Sequence, residues 1–370
     1  MAVPLLDLRA QYQSIKDEID TAVAAVFEQQ SFVLGPAVEA LEMATVDYLG
    51  VKHAVGVSSG SDALLMSLMA AGVEPGDEVL VPGFTFFASA SCVSRLGARP
   101  VFCDIEQKSY NIDLNGSAGK ITDRTRAIIP VDLYGQCADL EGVLDLARQH
   151  DLAVVEDAAQ AFGADRNGRK AGTFGHFGCF SFYPTKNLGG AGDGGMVTTN
   201  DDALADRIRL LRLHGERPRY HNKVVGICGR LDSLQAAVVG VKLRHLDRWN
   251  ARRIEIAGRY NELFAPDARV TTPTVCEGNS HIYHQYTIRV PDRDGVMQRL
   301  IERSIGCAIH YPIPVHLQEC YRELGGKQGD LPNAEKAASE VLSLPCYPEL
   351  TDAQVEEVAA GVLASLPESG

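Results

Sequence analysis

From residue 53 onward, short uninterrupted apolar runs alternate with helical stretches: His53–Val57, then 78–81, 100–103, 127–131 and 152–155. A run with no polar alternation has to be covered on both faces, and the helical segments between the runs supply that cover. The pattern predicts an α/β fold built on a mostly parallel, doubly wound sheet. In open sheets of this kind a ligand sits beyond the carboxyl ends of the strands. Three segments fall there, 58–62, 82–86 and 156–160, so three strand ends converge on one candidate site.

The rest of the chain frames that sheet. Ile15, Ile19, Val23, Val26 and Phe27 share one helical face, and Gly35-Pro36 opens a second helix. A single long helix is predicted over 232–264, carrying Trp249 out of the large domain. Beyond it, strands are predicted at 286–290 and 306–311 and helices at 333–342 and 351–364. The division is a large domain, 1–248, and a smaller α+β C-terminal domain, 249–370. A length of 370 residues can bury both a core and a sizeable cleft. The net charge of −13 disfavours nucleic acid and anionic membrane surfaces as partners. No apolar run is long enough to span a bilayer, and residues 1–10 carry Asp7 and Arg9 where a signal peptide would be apolar. Nine scattered cysteines show no Cys-x-x-Cys pair, which fits a reducing cytoplasm better than a disulfide framework or zinc site.

Two residues suggest the chemistry. Lys186 lies in Ser181-Phe182-Tyr183-Pro184-Thr185-Lys186-Asn187-Leu188-Gly189-Gly190, a loop low in charge, and Asp157 ends the very apolar run before Ala158-Ala159-Gln160. A lone lysine is ordinarily a solvated surface charge, and a lone aspartate can simply cap a helix. A carboxylate ending a buried strand, however, calls for a cation, and a protonated pyridine nitrogen is one. An amine that loses its proton near that cation can condense with an aldehyde. The pair therefore reads as a pyridoxal phosphate site.

Gly60 and Ser61, between a strand and a helix, offer free N–H groups and a helix dipole to a phosphate, though an ordinary N-cap would look the same. Ser181 can add its hydroxyl. Phe86 can stack on the ring or belong to the core, and Gln160 can meet the ring hydroxyl. Gly190-Ala191-Gly192-Asp193-Gly194-Gly195 spells Gly-x-Gly-x-x-Gly, but a strand follows it at 196–199, where a dinucleotide site needs a helix. His281 and His284 are read on a strand of alternating character, whose opposite faces preclude shared metal ligation, so no metal is expected.

With these motifs assembled, the chain resembles the DegT/DnrJ/EryC1/StrS family of sugar aminotransferases, of aspartate aminotransferase type (fold type I). The resemblance runs from Leu6-Asp7-Leu8 to Leu344-Pro345. It rests on Ser59-Gly60-Ser61-Asp62-Ala63-Leu64, Pro82-Gly83-Phe84-Thr85-Phe86, Glu156 through Gln160, Ser181 through Lys186 with Gly192-Asp193-Gly194-Gly195, Arg230-Leu231-Asp232, and His310-Tyr311-Pro312-Ile313-Pro314. It implies pyridoxal 5'-phosphate on Lys186, cycling through pyridoxamine 5'-phosphate, with L-glutamate as amino donor and a nucleotide-linked keto sugar as acceptor. It also implies a homodimer with shared active sites. By position, Gly60, Ser61 and Ser181 would bind phosphate, Phe86 would stack on the ring, Asp157 would meet the ring nitrogen and Gln160 the ring hydroxyl. His310 and Tyr311 would lie near the sugar, and Lys223 and Arg230 would reach over as anion contacts of the partner's site. One departure is Cys228, where relatives usually have an asparagine that reaches the cofactor phosphate of the other subunit.

Tyr183 and the Gly-Asp-Gly-Gly run resemble the branch acting on 3-keto sugars, of the UDP-2-acetamido-3-keto-uronate or dTDP-3-keto-6-deoxyhexose type. The alternatives are a cyclitol aminotransferase using the same residues and a non-catalytic regulatory protein that keeps the fold.

Overall fold

The computed structural model describes residues 3–367. Eleven strands are present among them. These are β1 (His53–Val57), β2 (Glu78–Pro82), β3 (Arg99–Cys103), β4 (Thr125–Ile128), β5 (Ala153–Asp157), a short hairpin of β6 (Asp165–Arg166) and β7 (Arg169–Lys170), β8 (Phe177–Ser181), β9 (Gly195–Thr199), β10 (Tyr286–Arg289) and β11 (Val341–Leu344).

Seven of them form the main sheet in the order β1-β9-β8-β5-β4-β2-β3. The pairings from β3 to β8 are parallel, while β9 runs antiparallel to both β8 and β1. Six strands therefore share a direction and only β9 opposes them. The start of β9 lies where the others end, which brings residues 193–195 to the same edge as Gly60, Asp157 and Ser181. Val55, Val57, Leu80, Val81, Val154 and Val155 are all sealed from solvent, as covered faces demand.

The expected α/β architecture is present, with corrections in detail. The single helix predicted over 232–264 is two, Ser233–Leu243 and Leu246–Phe264. The break comes where the Arg244 and His245 N–H groups bond only three residues back, to Val241 and Lys242 carbonyls. It lets the first helix stay on the large sheet side while the second packs against Asp352–Ser365. Residue 248 lies inside that second helix.

The helix predicted over 333–342 ends at Glu340. Val341–Leu344, buried throughout, instead pairs antiparallel with β10 in the register Tyr286↔Leu344 to Arg289↔Val341. A tertiary ladder outcompetes helical continuation at a β-branched residue. The 306–311 segment is not a strand; it makes one bridge, Ala308↔Ser343. β4 stops at Ile128, and Val131 touches Asp157 only as an isolated bridge. β8 is a strand that Gly178 and Ser181 obscure in the apolar pattern. Helix Asp352–Ser365 starts on a Thr351–Gln354 capping box.

Behind β5 the packing is tight. Gly172 has φ +77, and a Cβ there would lie 2.0 Å from Phe180 Cζ. Its N–H also bonds the buried Glu156 carboxylate at 2.5 Å. Gly172→Ala is expected to lower unfolding stability by about 2–4 kcal/mol through left-handed strain and overpacking. Urea denaturation should show a lower midpoint at unchanged slope; an unmoved midpoint would contradict this packing.

Candidate active site

Much of the site is built from the carboxyl ends of strands, with His284, His310 and Tyr311 brought in from segments outside the main sheet. After β1, Ser59 is extended (φ −166, ψ 167) and caps the helix Gly60–Ala70, its hydroxyl accepting from the Asp62 N–H. The cap is Ser59, which leaves Gly60 and Ser61 as the first helical residues. Their N–H groups have no acceptor within the helix and border the cleft, where the dipole favours an anion. Gly60 has to be glycine, since a Cβ would stand 2.7 Å from Ser181 Cβ. That close approach sets the Ser181 side chain beside Gly60, so that a hydroxyl and free N–H groups border one part of the cleft, a donor set that suits a phosphate.

At the end of β5 successive side chains point to opposite faces. Glu156 turns away from the cleft and accepts from the Gly172 and Phe174 N–H groups. Asp157 faces the cleft and accepts from Ser89 Oγ at 2.7 Å and the Ala159 N–H at 3.2 Å. Burial pushes the Asp157 carboxyl above its ordinary range, against the pull of Ser89, Ala159 and the Lys186 charge. Asp132, fully buried beside Glu156, is pushed well above that range, first by burial and then by the Glu156 charge. Ser89 is a site residue that no motif announces; it is found only once the 88–95 helix, packed on the Gly60–Ala70 helix, β2 and β3, sets its hydroxyl on Asp157.

Gln160 is held at both ends. Its Oε1 accepts from the Tyr134 N–H at 2.7 Å and its Nε2 donates to Tyr311 Oη at 3.0 Å. The donor end of the amide therefore faces the cleft, as a ring oxygen would require. Tyr311 lies 6.0 Å from Phe86 between ring centroids, and Phe86 is 54% exposed, unlike a core residue. His310 anchors Nδ1 on Ser343 Oγ at 2.9 Å, and burial, then Lys186, lowers its pKa to about 4.

Lys186 follows a turn closed by its own N–H on the Tyr183 carbonyl at 2.9 Å. The glycines after it wrap the buried structure: Gly190 N–H meets the Phe182 carbonyl, and Ala191 N–H meets Gln235 Oε1. The Gly-x-Gly-x-x-Gly string thus feeds β9, and the dinucleotide reading fails as expected. Lys186 Nζ has no hydrogen-bond or ion-pair partner among the described residues. Desolvation lowers its pKa to about 8 against the attraction of Asp157. No ion pair within 4.0 Å joins the two, although both line the same cleft.

The cleft they border measures about 490 Å³, room for a cofactor and part of a substrate. It brings together Gly60, Ser61, Phe86, Asp157, Gln160, Ser181, Lys186, His310 and Tyr311. Lys223 and Arg230 do not line it. Lys223 sits on an exposed loop, and Arg230 donates to Cys228 Sγ at 2.8 Å. His281 and His284 are both buried, and they do not lie on a strand, since His281 makes only an isolated bridge to Gln136. No cluster of potential metal ligands exists among the described residues. The donor set beside Gly60, the unpaired amine and the buried carboxylate fit pyridoxal phosphate.

Residues 13–363 match the DegT/DnrJ/EryC1/StrS aminotransferase family. The chain belongs to that family. It is 48% identical over 360 residues to the pleiotropic regulatory protein of Geobacillus stearothermophilus, covering 97% of each chain. It is 44% identical over 366 residues to the UDP-N-acetyl-3-dehydro-alpha-D-glucosamine 3-aminotransferase of Acidithiobacillus ferrooxidans, covering 99% of this chain and 98% of the relative. The solved structure of S. venezuelae DesV in complex with a ketimine intermediate superposes with a TM-score of 0.95 at 42% identity, covering 98% and 97% of the two chains. Fold and enzyme class agree with the sequence reading.

The lowered Lys186 pKa has a stability consequence. Between pH 8 and 10.5 the unfolded chain holds a proton on this lysine that the folded one has lost, so stability rises with pH across that window and the buried amine opposes folding below it. Lys186→Met in cofactor-free protein is expected to raise Tm at pH 7, with the gain shrinking towards pH 10. Equal gains at both pH values would show that the lysine is not desolvated.

Proposed function

We propose that this aminotransferase moves the amino group of L-glutamate to C3 of a nucleotide-linked 3-keto sugar, with pyridoxal phosphate joined to Lys186. The observation that carries the proposal is the unpaired, desolvated amine facing a buried carboxylate across a cleft edged by a helix N-terminus. The acceptor class is supported by the Acidithiobacillus relative, named for a UDP-linked 3-keto sugar. All nine cysteines are free, and no helix among the described residues is long and apolar enough to cross a membrane, which supports a cytoplasmic enzyme.

When bound, pyridoxal phosphate supplies an aldehyde that carries the amino group and an electron-poor ring that draws electrons from the reacting carbon. The N–H groups of Gly60 and Ser61, with the Ser181 hydroxyl, hold the phosphate. Asp157, kept oriented by Ser89, holds the ring nitrogen in its protonated form. Gln160 donates its amide N–H to the ring oxygen, and Phe86 covers one ring face. Lys186 Nζ, when not joined to the cofactor, would act as the base that takes the donor's α-proton and as the acid that gives one back. A pKa near 8 suits a group that must be both base and acid. Tyr311 and His310 border the side of the cleft open to the sugar. Lys223 and Arg230, outside their own cleft, would serve the site of a second copy in a homodimer. Arg230 is already engaged by Cys228, so its anion contact competes with that thiol.

Glutamate is expected to convert the cofactor absorbance to that of the amine form, and one of a panel of UDP- and dTDP-linked 3-keto sugars to restore it. Lys186→Ala should reduce turnover by at least about 10³-fold, the order lost with a positioned acid–base group and nucleophile. Restoration by a cyclitol ketone alone would replace the nucleotide-sugar reading. Cofactor absorbance that glutamate leaves unchanged would favour a regulatory protein.

A further inference from the structure

His284 stands at the end of a hydrogen-bond chain whose direction is fixed. The Phe162 carbonyl can only accept, and it takes the Asn250 amide N–H at 3.3 Å. Asn250 Oδ1 therefore faces Asn187 and accepts from its Nδ2 at 2.8 Å, while the Ile282 carbonyl takes the same amide at 3.3 Å. Asn187 must then present Oδ1 to His284 Nδ1, 3.1 Å away. An acceptor at that distance places the imidazole proton on Nδ1. His284, Asn187 and Asn250 are each at most 6% exposed, so these directions are not blurred by solvent.

The consequence falls on Nε2. It bonds no group of the described residues, it is not sealed off as a buried orphan, and His284 borders the cleft that holds Lys186. The groups whose charge reaches His284 are Lys186, Arg253 and His310, all of which, after burial, oppose a second proton on the ring. Lys186 in turn feels Asp157. A neutral ring with its lone pair towards the cleft is therefore the stable form next to the lysine.

Building on the aminotransferase reading, we infer that His284 is a positioning residue for Lys186: its Nε2 accepts a hydrogen bond from the lysine ammonium while that lysine is released from the cofactor. The flexible four-carbon arm of Lys186 would otherwise carry its proton into a cleft where Asp157 is engaged with the ring. The His281/His284 pair thus has a use unrelated to metal: one ring packs against Tyr283 at 4.0 Å and the other serves the lysine.

The test uses enzyme loaded with pyridoxamine phosphate, in which Lys186 is free, with ¹⁵N-lysine side chains followed by NMR across pH and the signal assigned by Lys186→Arg. His284→Asn keeps a group at the Nδ1 position and loses the acceptor at Nε2; His284→Gln does the reverse. Loss of an acceptor for an ammonium is expected to lower the Lys186 midpoint by about one pH unit in His284→Asn and to leave it near wild type in His284→Gln. An unmoved midpoint in His284→Asn, or equal shifts in both, would overturn the inference. Should either variant fold poorly, wild-type imidazole ¹⁵N shifts decide: the proposal requires a proton on Nδ1 and none on Nε2 from about pH 6 to 9. A proton on Nε2 refutes it. The aminotransferase reading is judged separately, by whether wild-type Lys186 joins the cofactor at all.

Discussion

The structure depends on a carboxylate kept at the end of a buried strand with an amine facing it across a gap. Asp157 and Lys186 are each destabilised by loss of water, and each partly compensates the other without closing into an ion pair. Had they paired directly, the cleft would be filled and the lysine would stay charged. Separation lets desolvation lower the lysine pKa to about 8, within reach of its neutral form, and leaves space for a flat ring that satisfies the carboxylate better than a distant ammonium can. Ser89, Ala159 and the sheet hold the carboxylate in place, and the glycine-rich turn through Gly190 holds the lysine.

Around this pair the site is assembled from strand ends, with a second layer that fixes which atom faces inward. Gln160 shows its donors because Tyr134 has taken its oxygen. His284 shows a lone pair because Asn187 has taken its proton. Both assignments begin at backbone groups with only one possible role, so orientation is set by the main chain and passed outward. Two neutral imidazoles, at 284 and 310, flank the lysine without adding charge that would compete with the ring nitrogen.

Much of this was legible in the sequence where chemistry and local pattern coincide. The apolar runs at 53–57 and 78–81 could only be covered strands, and Asp157 was informative because it ended one. Gly60 stood out for its place between strand and helix, although the cap proved to be Ser59. What escaped was set by contacts distant in sequence. Val341–Leu344 reads as the tail of a helix until β10 is beside it. The break at 244–245 has no glycine or proline to mark it. Ser89 and Asn187 are ordinary polar residues whose roles exist only because Asp157 and His284 lie next to them. His284 has a visible signal, the His281/His284 pair, but the sequence pattern only argues against shared metal ligation, and a use for the ring emerges from the hydrogen-bond directions.

The most direct measurement is borohydride reduction of the protein saturated with pyridoxal phosphate, followed by peptide mass mapping. A single reduced pyridoxyl group is expected on the peptide containing Lys186, at one per chain, and its yield should fall sharply when Asp157 is replaced by alanine. Modification spread over surface lysines, or absent from position 186, would contradict the account.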